Sequence, residues 1–384
     1  MRVLVWQWGR RGAGPRMAAE LAAALRALPG HTVFLSLSNR AEILAASDAP
    51  ACALPVATYA GAAGYAWRLL LAPVSIPWLV RRLRALAPDV AICAMPGPLD
   101  LPMALALRRL RIPMVVTVHD AELHPGDGLP LQMALQRALI RRAAALVALT
   151  GHVAARLRQQ PAARGRPLLE ARLPPLVFQA SRPPPPLSHD GPMRLLCFGR
   201  LLPYKGLDLF EAALRGLEAA GLGRGRLEVR VVGEGPHTPT LDALARLPGV
   251  QVENRWVPED EVGRLVAWAD TVVLPYREAS QSGVAAIALA AGRWVVATRV
   301  GGLVEQFRGE AMALLCEPDA GSIGACLARL LDDPPALPAM APDPLGLWLE
   351  MARSLSRQIE LLLPGVTHER PRAQDAARSD PAPV

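Results

Sequence analysis

Short apolar runs recur along the chain, and each is followed by a stretch in which apolar residues return at helical spacing. That alternation predicts strand and helix units wound into a parallel sheet. Residues 3–8 read as a buried strand, followed by the loop Gly9-Arg10-Arg11-Gly12-Ala13-Gly14 and a helix over 18–28. Further strands are expected at 31–37, 90–94 and 114–118, then a helix over 131–144 leading to a strand at 145–149. Around Arg182 the pattern collapses into Pro183-Pro184-Pro185-Pro186, where absent amide donors and fixed backbone angles disfavour ladders and helices. The alternation restarts with strands at 194–198, 228–232, 250–253, 271–274 and 294–297, and helices from Leu207, Leu241, Glu259, Val284 and Gly321. The expectation is an α/β protein of two Rossmann-like domains, 1–177 and 194–344, joined by a proline-rich linker at 178–193. A late helix over 345–363 has no strand after it, and the polar tail 364–384 is expected to be disordered.

Length agrees with this division, since 384 residues suffice for two cores of ordinary size. No apolar run reaches the roughly 18 to 20 residues of a membrane-spanning helix. The amino terminus enters a strand directly, without a secretory leader pattern, so the cytoplasm is the expected compartment. Cys52, Cys93, Cys197, Cys316 and Cys326 are widely spaced and read as small buried apolar residues, not as a metal or redox set. Thirty-eight prolines and an excess of Ala and Arg suggest a coding bias, so arginine abundance does not imply a nucleic-acid partner, and none is expected.

Charge is nevertheless segregated. Residues 1–182 hold 22 arginines against 9 acidic side chains, whereas 183–384 hold 20 basic against 25 acidic. A basic first half would be drawn to an anionic membrane surface or a lipid-linked phosphate. A solvated arginine-rich surface produced by the coding bias accounts for the same count.

The most informative segment is Phe198-Gly199-Arg200-Leu201-Leu202-Pro203-Tyr204-Lys205-Gly206, between the first strand and first helix of the second domain. Ligands of open α/β sheets bind outside the carboxyl ends of strands. Gly199 and Gly206 permit close backbone approach, Arg200 and Lys205 supply positive charge, and Lys205 is the only lysine in the chain.

This segment resembles the Gly-Arg-Leu-x-x-x-Lys-Gly signature of retaining glycosyltransferases of family 4, of the bacterial exopolysaccharide or cell-surface glycan type. Val231-Val232-Gly233-Glu234-Gly235-Pro236 resembles that family's strand and Gly-x-Gly-Pro turn, and Val257-Pro258-Glu259-Asp260-Glu261-Val262 the loop before its nucleotide-side helix. Residues 269–276 and 292–305 are similar to its late strands. The resemblance implies a GT-B fold, with two Rossmann-like domains facing across a cleft, the first on the acceptor side, and the C-terminal helix returning to the first domain. It implies that Arg200 and Lys205 grip a nucleoside-diphosphate sugar without a metal or other cofactor, and that Gly199 and Gly233 belong to the donor site.

The family pattern has two glutamates eight positions apart, the second holding the ribose, and here Ile287 stands at the second place. The run from Glu278 to Val284 resembles a variant of that loop in which Glu278 is expected to face the sugar, although a merely solvated Glu278 is the alternative. Ser282, Gly283 and Val284 at a helix start would offer backbone donors to phosphate. In the first domain Gly12 and Gly14 would form the loop beneath the sugar, with Arg16 reaching a phosphate; a plain strand-to-helix turn accounts for these glycines equally well. A nicotinamide-dependent reading rests on that loop alone. His119 is expected to face the donor sugar, and Asp120 either orients that histidine or acts on the acceptor. The missing glutamate keeps open a catalytically degenerate scaffold or binding subunit.

Family members often extend lipid-linked glycans, which implies a glycan or polyprenyl-diphosphate-linked acceptor. Residues 65–84 combine Trp67 and Trp78 with Arg68, Arg81, Arg82 and Arg84, and their prolines predict two short helical pieces. At least one is expected to lie peripherally on the anionic inner leaflet. Packing of this segment into the core is the competing expectation.

Overall fold

The computed structural model describes residues 1–46, 48–124, 126, 130–178, 183–337 and 343–363. Two six-stranded parallel sheets follow one another. The first is built from β1 (Arg2–Gln7), β2 (Thr32–Leu37), β3 (Val90–Cys93), β4 (Met114–Val118), β5 (Ala145–Ala148) and β6 (Leu168–Glu170), in the order β2-β1-β3-β4-β5-β6. Its helices are α1 (Ala13–Arg26), α2 (Gly61–Leu70), α3 (Ala72–Leu86), α4 (Asp100–Arg109), α5 (Pro130–Ile140) and α6 (Gly151–Gln159). The second sheet contains β7 (Met193–Phe198), β8 (Leu227–Gly233), β9 (Val250–Asn254), β10 (Thr271–Leu274), β11 (Trp294–Thr298) and β12 (Ala313–Cys316), in the order β12-β11-β10-β7-β8-β9. Around it lie α7 (Leu207–Ala219), α8 (Pro239–Ala245), α9 (Glu259–Trp268), α10 (Gly283–Ala290), α11 (Leu303–Gln306) and α12 (Ala320–Asp332).

The inner strands are near-continuous apolar runs because both sheet faces are covered there: every residue of β3, β4, β5, β10 and β11 is buried. Strand order reverses between β1 and β3 in the first sheet and between β7 and β10 in the second. Such switch points open a crevice at the carboxyl ends of the strands, and that is where the functional loops lie.

The expected strands are all present, with ends shifted by at most two residues. The structure adds β6 and β12, two short sheet-edge strands. The last helix, α13 (Pro344–Leu362), returns to the first domain, where Trp348, Met351, Leu355 and Ile359 are buried in one core with residues of α1. Burial of each such side chain contributes about 1.5–3 kcal/mol relative to exposure. Trp348 Nε1 donates to the Pro175 carbonyl at 2.9 Å, and His31 Nε2 pairs with Ser356 Oγ at 2.8 Å. Residues 179–182 of the linker and the whole tail 364–384 lie outside the described residues, as does the expectation of disorder made for that tail. Among the described residues no helix is long and apolar enough to cross a membrane.

Candidate active site

The second domain contributes a loop shaped by steric necessity. Gly199 leaves β7 at φ 118°, and a Cβ on Gly233 at the end of β8 would stand 1.7 Å from the Gly199 carbonyl oxygen. Gly206 has φ 65°, and a Cβ there would lie 1.9 Å from the Pro275 carbonyl oxygen. Within the loop, Arg200 Nη2 donates to the Tyr204 hydroxyl at 3.1 Å, and Lys205 Nζ lies 3.6 Å from the centroid of the Tyr276 ring. A cation over a buried ring is held by the ring's quadrupole. Burial keeps the Tyr276 hydroxyl protonated far above its ordinary range.

Beside this loop begins α10. Ser282 caps it, its hydroxyl accepting from the Ala285 amide at 3.2 Å. The cap leaves the first-turn amides of Gly283 and Val284 at the positive end of the helix, an arrangement suited to phosphate. The expectation for Ser282 itself needs correction: its own amide donates to Gln306 Oε1 at 3.0 Å. Its contribution is the cap, not a backbone donor.

In the first domain Gly12 caps α1 at φ 79°, and a Cβ on Gly14 would meet Gln7 Nε2 at 2.9 Å. The two helix starts approach closely, since a Cβ on Gly283 would lie 3.2 Å from that of Ala13. His119 follows β4 and is buried, with Nε2 3.0 Å from the Ala94 carbonyl and Nδ1 bonded to the Gln281 side-chain amide. A carbonyl only accepts, so Nε2 carries the proton and Nδ1 accepts from Gln281. Burial holds His119 below its ordinary pKa, in agreement with a neutral ring.

His124 lies against both domains. Its Nδ1 is 2.5 Å from Glu278 Oε1, its Nε2 is 3.1 Å from Asp120 Oδ1, and its ring stacks on Tyr204 with centroids 4.7 Å apart. Burial alone would lower its pKa, but Asp120 and Glu278 outweigh that and raise it. Burial would raise the Asp120 carboxyl, yet His124 and His119 hold it below the usual carboxylate range, so it stays ionised.

These groups surround an inter-domain cleft of about 540 Å³. Gly12, Gly14, His119, Asp120, Gly199, Arg200, Lys205, Gly233, Ser282, Gly283 and Val284 all line it, together with Ile287. Two expected residues do not. Glu278 lines an adjoining cavity of about 290 Å³, shared with Arg156, Arg277 and His152, and reaches the main cleft's wall only through His124. Arg16 is tied up elsewhere: its Nη2 lies 2.7 Å from Glu259 Oε1, its Nη1 3.3 Å from Asp48, and its guanidinium 5.3 Å from the Phe178 ring centroid. It braces the two domains instead of presenting charge to a phosphate.

Gln281, Glu259 and Trp256 line the cleft without having been singled out, and Trp256 reaches across the domains to donate from Nε1 to Glu42 Oε1 at 3.1 Å. No local spacing could pair Gln281 with His119, 162 residues apart. Among the described residues no group of three His, Cys, Asp or Glu side chains is placed to hold a metal ion.

Residues 12–169 match the family described as "Glycosyl transferase 4-like domain", and 192–333 match "Glycosyl transferases group 1". Among characterised relatives, the chain is 33% identical over 111 residues to GDP-mannose:glycolipid 4-beta-D-mannosyltransferase of Xanthomonas campestris, covering 28% of this chain and 30% of that protein. It is 27% identical over 251 residues to 2-deoxystreptamine glucosyltransferase of Streptomyces kanamyceticus, covering 60% of this chain and 64% of the other. It thus matches these relatives over less than two thirds of their length. Among solved structures, Anabaena HepE in complex with UDP and glucose superimposes with a TM-score of 0.67 at 17% identity, covering 93% of this chain and all of that one. Sucrose-phosphate synthase from Thermosynechococcus elongatus gives 0.59 at 17% identity, covering 94% and 96%. With one glycosyltransferase domain matched on each side of the cleft and two facing Rossmann-like sheets, the chain belongs to the glycosyltransferases of GT-B fold.

Proposed function

We propose that the protein is a retaining, metal-independent glycosyltransferase that moves a hexose from a nucleoside-diphosphate sugar to a glycan or lipid-linked saccharide. The observation that carries this reading is the convergence of Arg200, Lys205 and the start of α10 on one wall of the cleft, with His119 on the opposite domain. Two cations and a helix N-terminus oppose the charge that grows on a departing diphosphate, so the leaving group needs no metal. In the arrangement observed, both His119 nitrogens are engaged, which leaves no lone pair for general-base work. The departing phosphate then takes the acceptor proton as the acceptor hydroxyl attacks from the same face, a route that depends on positioning. Ionised Asp120 is a weak base, suited to orient the acceptor hydroxyl.

The acceptor side is assigned to an anionic inner-leaflet surface. In α2 and α3, Trp67, Leu70 and Val74 are 59%, 72% and 71% exposed, while Ile76, Leu79 and Leu83 of α3 pack into the core. Exposed Arg81, Arg82 and Arg84 follow in α3. An apolar edge beside exposed guanidinium groups matches a headgroup boundary.

A second reading, a degenerate scaffold, is favoured by buried Ile287 where a ribose-binding glutamate would stand. Calorimetry with UDP and GDP, together with donor turnover, separates the two. Binding of either nucleotide that is weakened in Lys205→Ala, accompanied by turnover of UDP-glucose or GDP-mannose, supports the enzyme; binding without turnover of these or other nucleotide sugars supports the scaffold.

A further inference from the structure

We propose that His124 is a positioning residue of the donor site: one ring holds Asp120 of the first domain and Glu278 of the second on its two nitrogens, and so fixes Glu278 only when the cleft is closed. The inference rests on reading Glu278, which lines the adjoining cavity and meets the main cleft at His124, as a carboxylate that acts toward the donor sugar, and it gives that carboxylate a means of alignment.

The geometry is restrictive. A neutral imidazole has one N–H, whereas a carboxylate only accepts. The contacts at 3.1 Å and 2.5 Å are therefore satisfied together by the imidazolium alone. The ring cannot swing away cheaply, because it is buried and stacked on Tyr204. Tyr204 is itself fixed from the diphosphate loop by Arg200 Nη2, and Lys205 Nζ lies 5.0 Å from its ring centroid. The chain Glu278–His124–Tyr204–Arg200 thus connects the sugar-side carboxylate to the diphosphate-binding cation.

The other groups around the ring do not substitute for it. The Ser280 hydroxyl is 3.4 Å from Nε2, Arg277 is paired with Asp208, and the exposed Glu122 and Arg156 pair with each other at 2.8 Å. His152, also on the adjoining cavity, has its backbone amide held by Glu305 at 2.8 Å. Loss of the His124 proton leaves one carboxylate facing a lone pair, and Glu278, which meets the ring from the other domain while Asp120 lies four residues from it in the chain, is the one released.

The test compares wild type, His124→Gln, Glu278→Gln and the double variant, with UDP-glucose or GDP-mannose as donor, whichever wild type turns over, and calorimetry with the matching nucleoside diphosphate. His124→Gln is expected to lower kcat about a hundredfold, the scale of a 1 Å misplacement. Nucleotide Kd should stay within about twofold, which also verifies the fold. Wild type is expected to lose kcat on the alkaline side and His124→Gln to lack that fall, and the double variant should be no worse than Glu278→Gln, because residues acting as a unit are not additive. Wild-type kcat in His124→Gln alongside a damaged Glu278→Gln overturns this proposal alone, as do additive losses in the double variant. Wild-type kcat in Glu278→Gln overturns the sugar-side reading and this inference with it.

Discussion

Arg16 of the first domain donates from Nε, at 2.9 Å, to Glu259 Oε1 in the second, and its Nη2 lies 2.7 Å from the same oxygen. Both side chains are buried, and burial pushes the Glu259 carboxyl above its ordinary range even though Arg16 opposes that shift. Removing one partner leaves a buried charge uncompensated, which typically costs about 3–5 kcal/mol. Arg16→Ala is therefore expected to lose stability on that scale in denaturant unfolding, and Arg16→Ala with Glu259→Gln to recover part of it. Equal stability of both variants would show that the pair is not coupled.

His119→Ala should lower turnover far more than nucleotide affinity, because the ring faces the cleft from the domain opposite the diphosphate loop. The expected result is a nucleoside-diphosphate Kd near wild type with kcat reduced about 10²-fold or more. An equal fall in both would make His119 a nucleotide or folding residue.

The two histidines place opposite signs on the pH dependence of stability. His119 is held below the ordinary 6.5, so its contribution is present above that value and is lost as pH falls through the folded pKa. His124 is held above 6.5, so its contribution is complete below that value and is lost as pH rises through the folded pKa. Thermal unfolding across pH 5–9 should show His119→Ala flattening the acid side of the curve and His124→Gln the alkaline side. The same flattening in both variants would contradict the assignment.

Gly233→Ala tests the donor loop sterically. The added carbon would overlap the Gly199 carbonyl, so the loop carrying Arg200 has to move. Nucleoside-diphosphate affinity should fall at least tenfold while the first domain keeps its fold, as read by calorimetry and by hydrogen exchange in α1 and β1. Unchanged affinity would show that the loop tolerates displacement.

Liposome flotation tests the basic apolar edge of α2 and α3. Binding to anionic vesicles should weaken with salt, disappear in Arg81→Glu/Arg82→Glu/Arg84→Glu, and fall in Trp67→Ser/Leu70→Ser. No binding at low salt would remove the surface from consideration.

The strands could be read because fully buried parallel strands are continuous apolar runs; β10 and β4 were located to the residue. β6 escaped because it is three residues long with only Leu169 fully buried, and β12 because buried and half-buried positions alternate along it. The diphosphate loop could be read because its glycines and charges are local and sterically required. Arg16 was misplaced because spacing shows that a guanidinium lies near the glycine loop but not that Glu259, 243 residues later, is nearer. Glu278 shows the same limit: its position on the loop is local information, whereas its contact with His124 depends on how the domains meet. The edge of α2 and α3 fell between the two expectations, since one face of α3 packs into the core and the other does not.

The return of α13 has a bearing on biosynthesis. Its apolar face completes the core around α1, yet it is made more than 300 residues after that helix begins. During translation the first domain must wait, with the surface destined for Trp348, Met351, Leu355 and Ile359 still open, until the entire second domain has left the ribosome. A chain cut off before α13 would carry a finished second domain attached to an unfinished first one, and it would be most exposed to chaperones and proteases at the domain it began with.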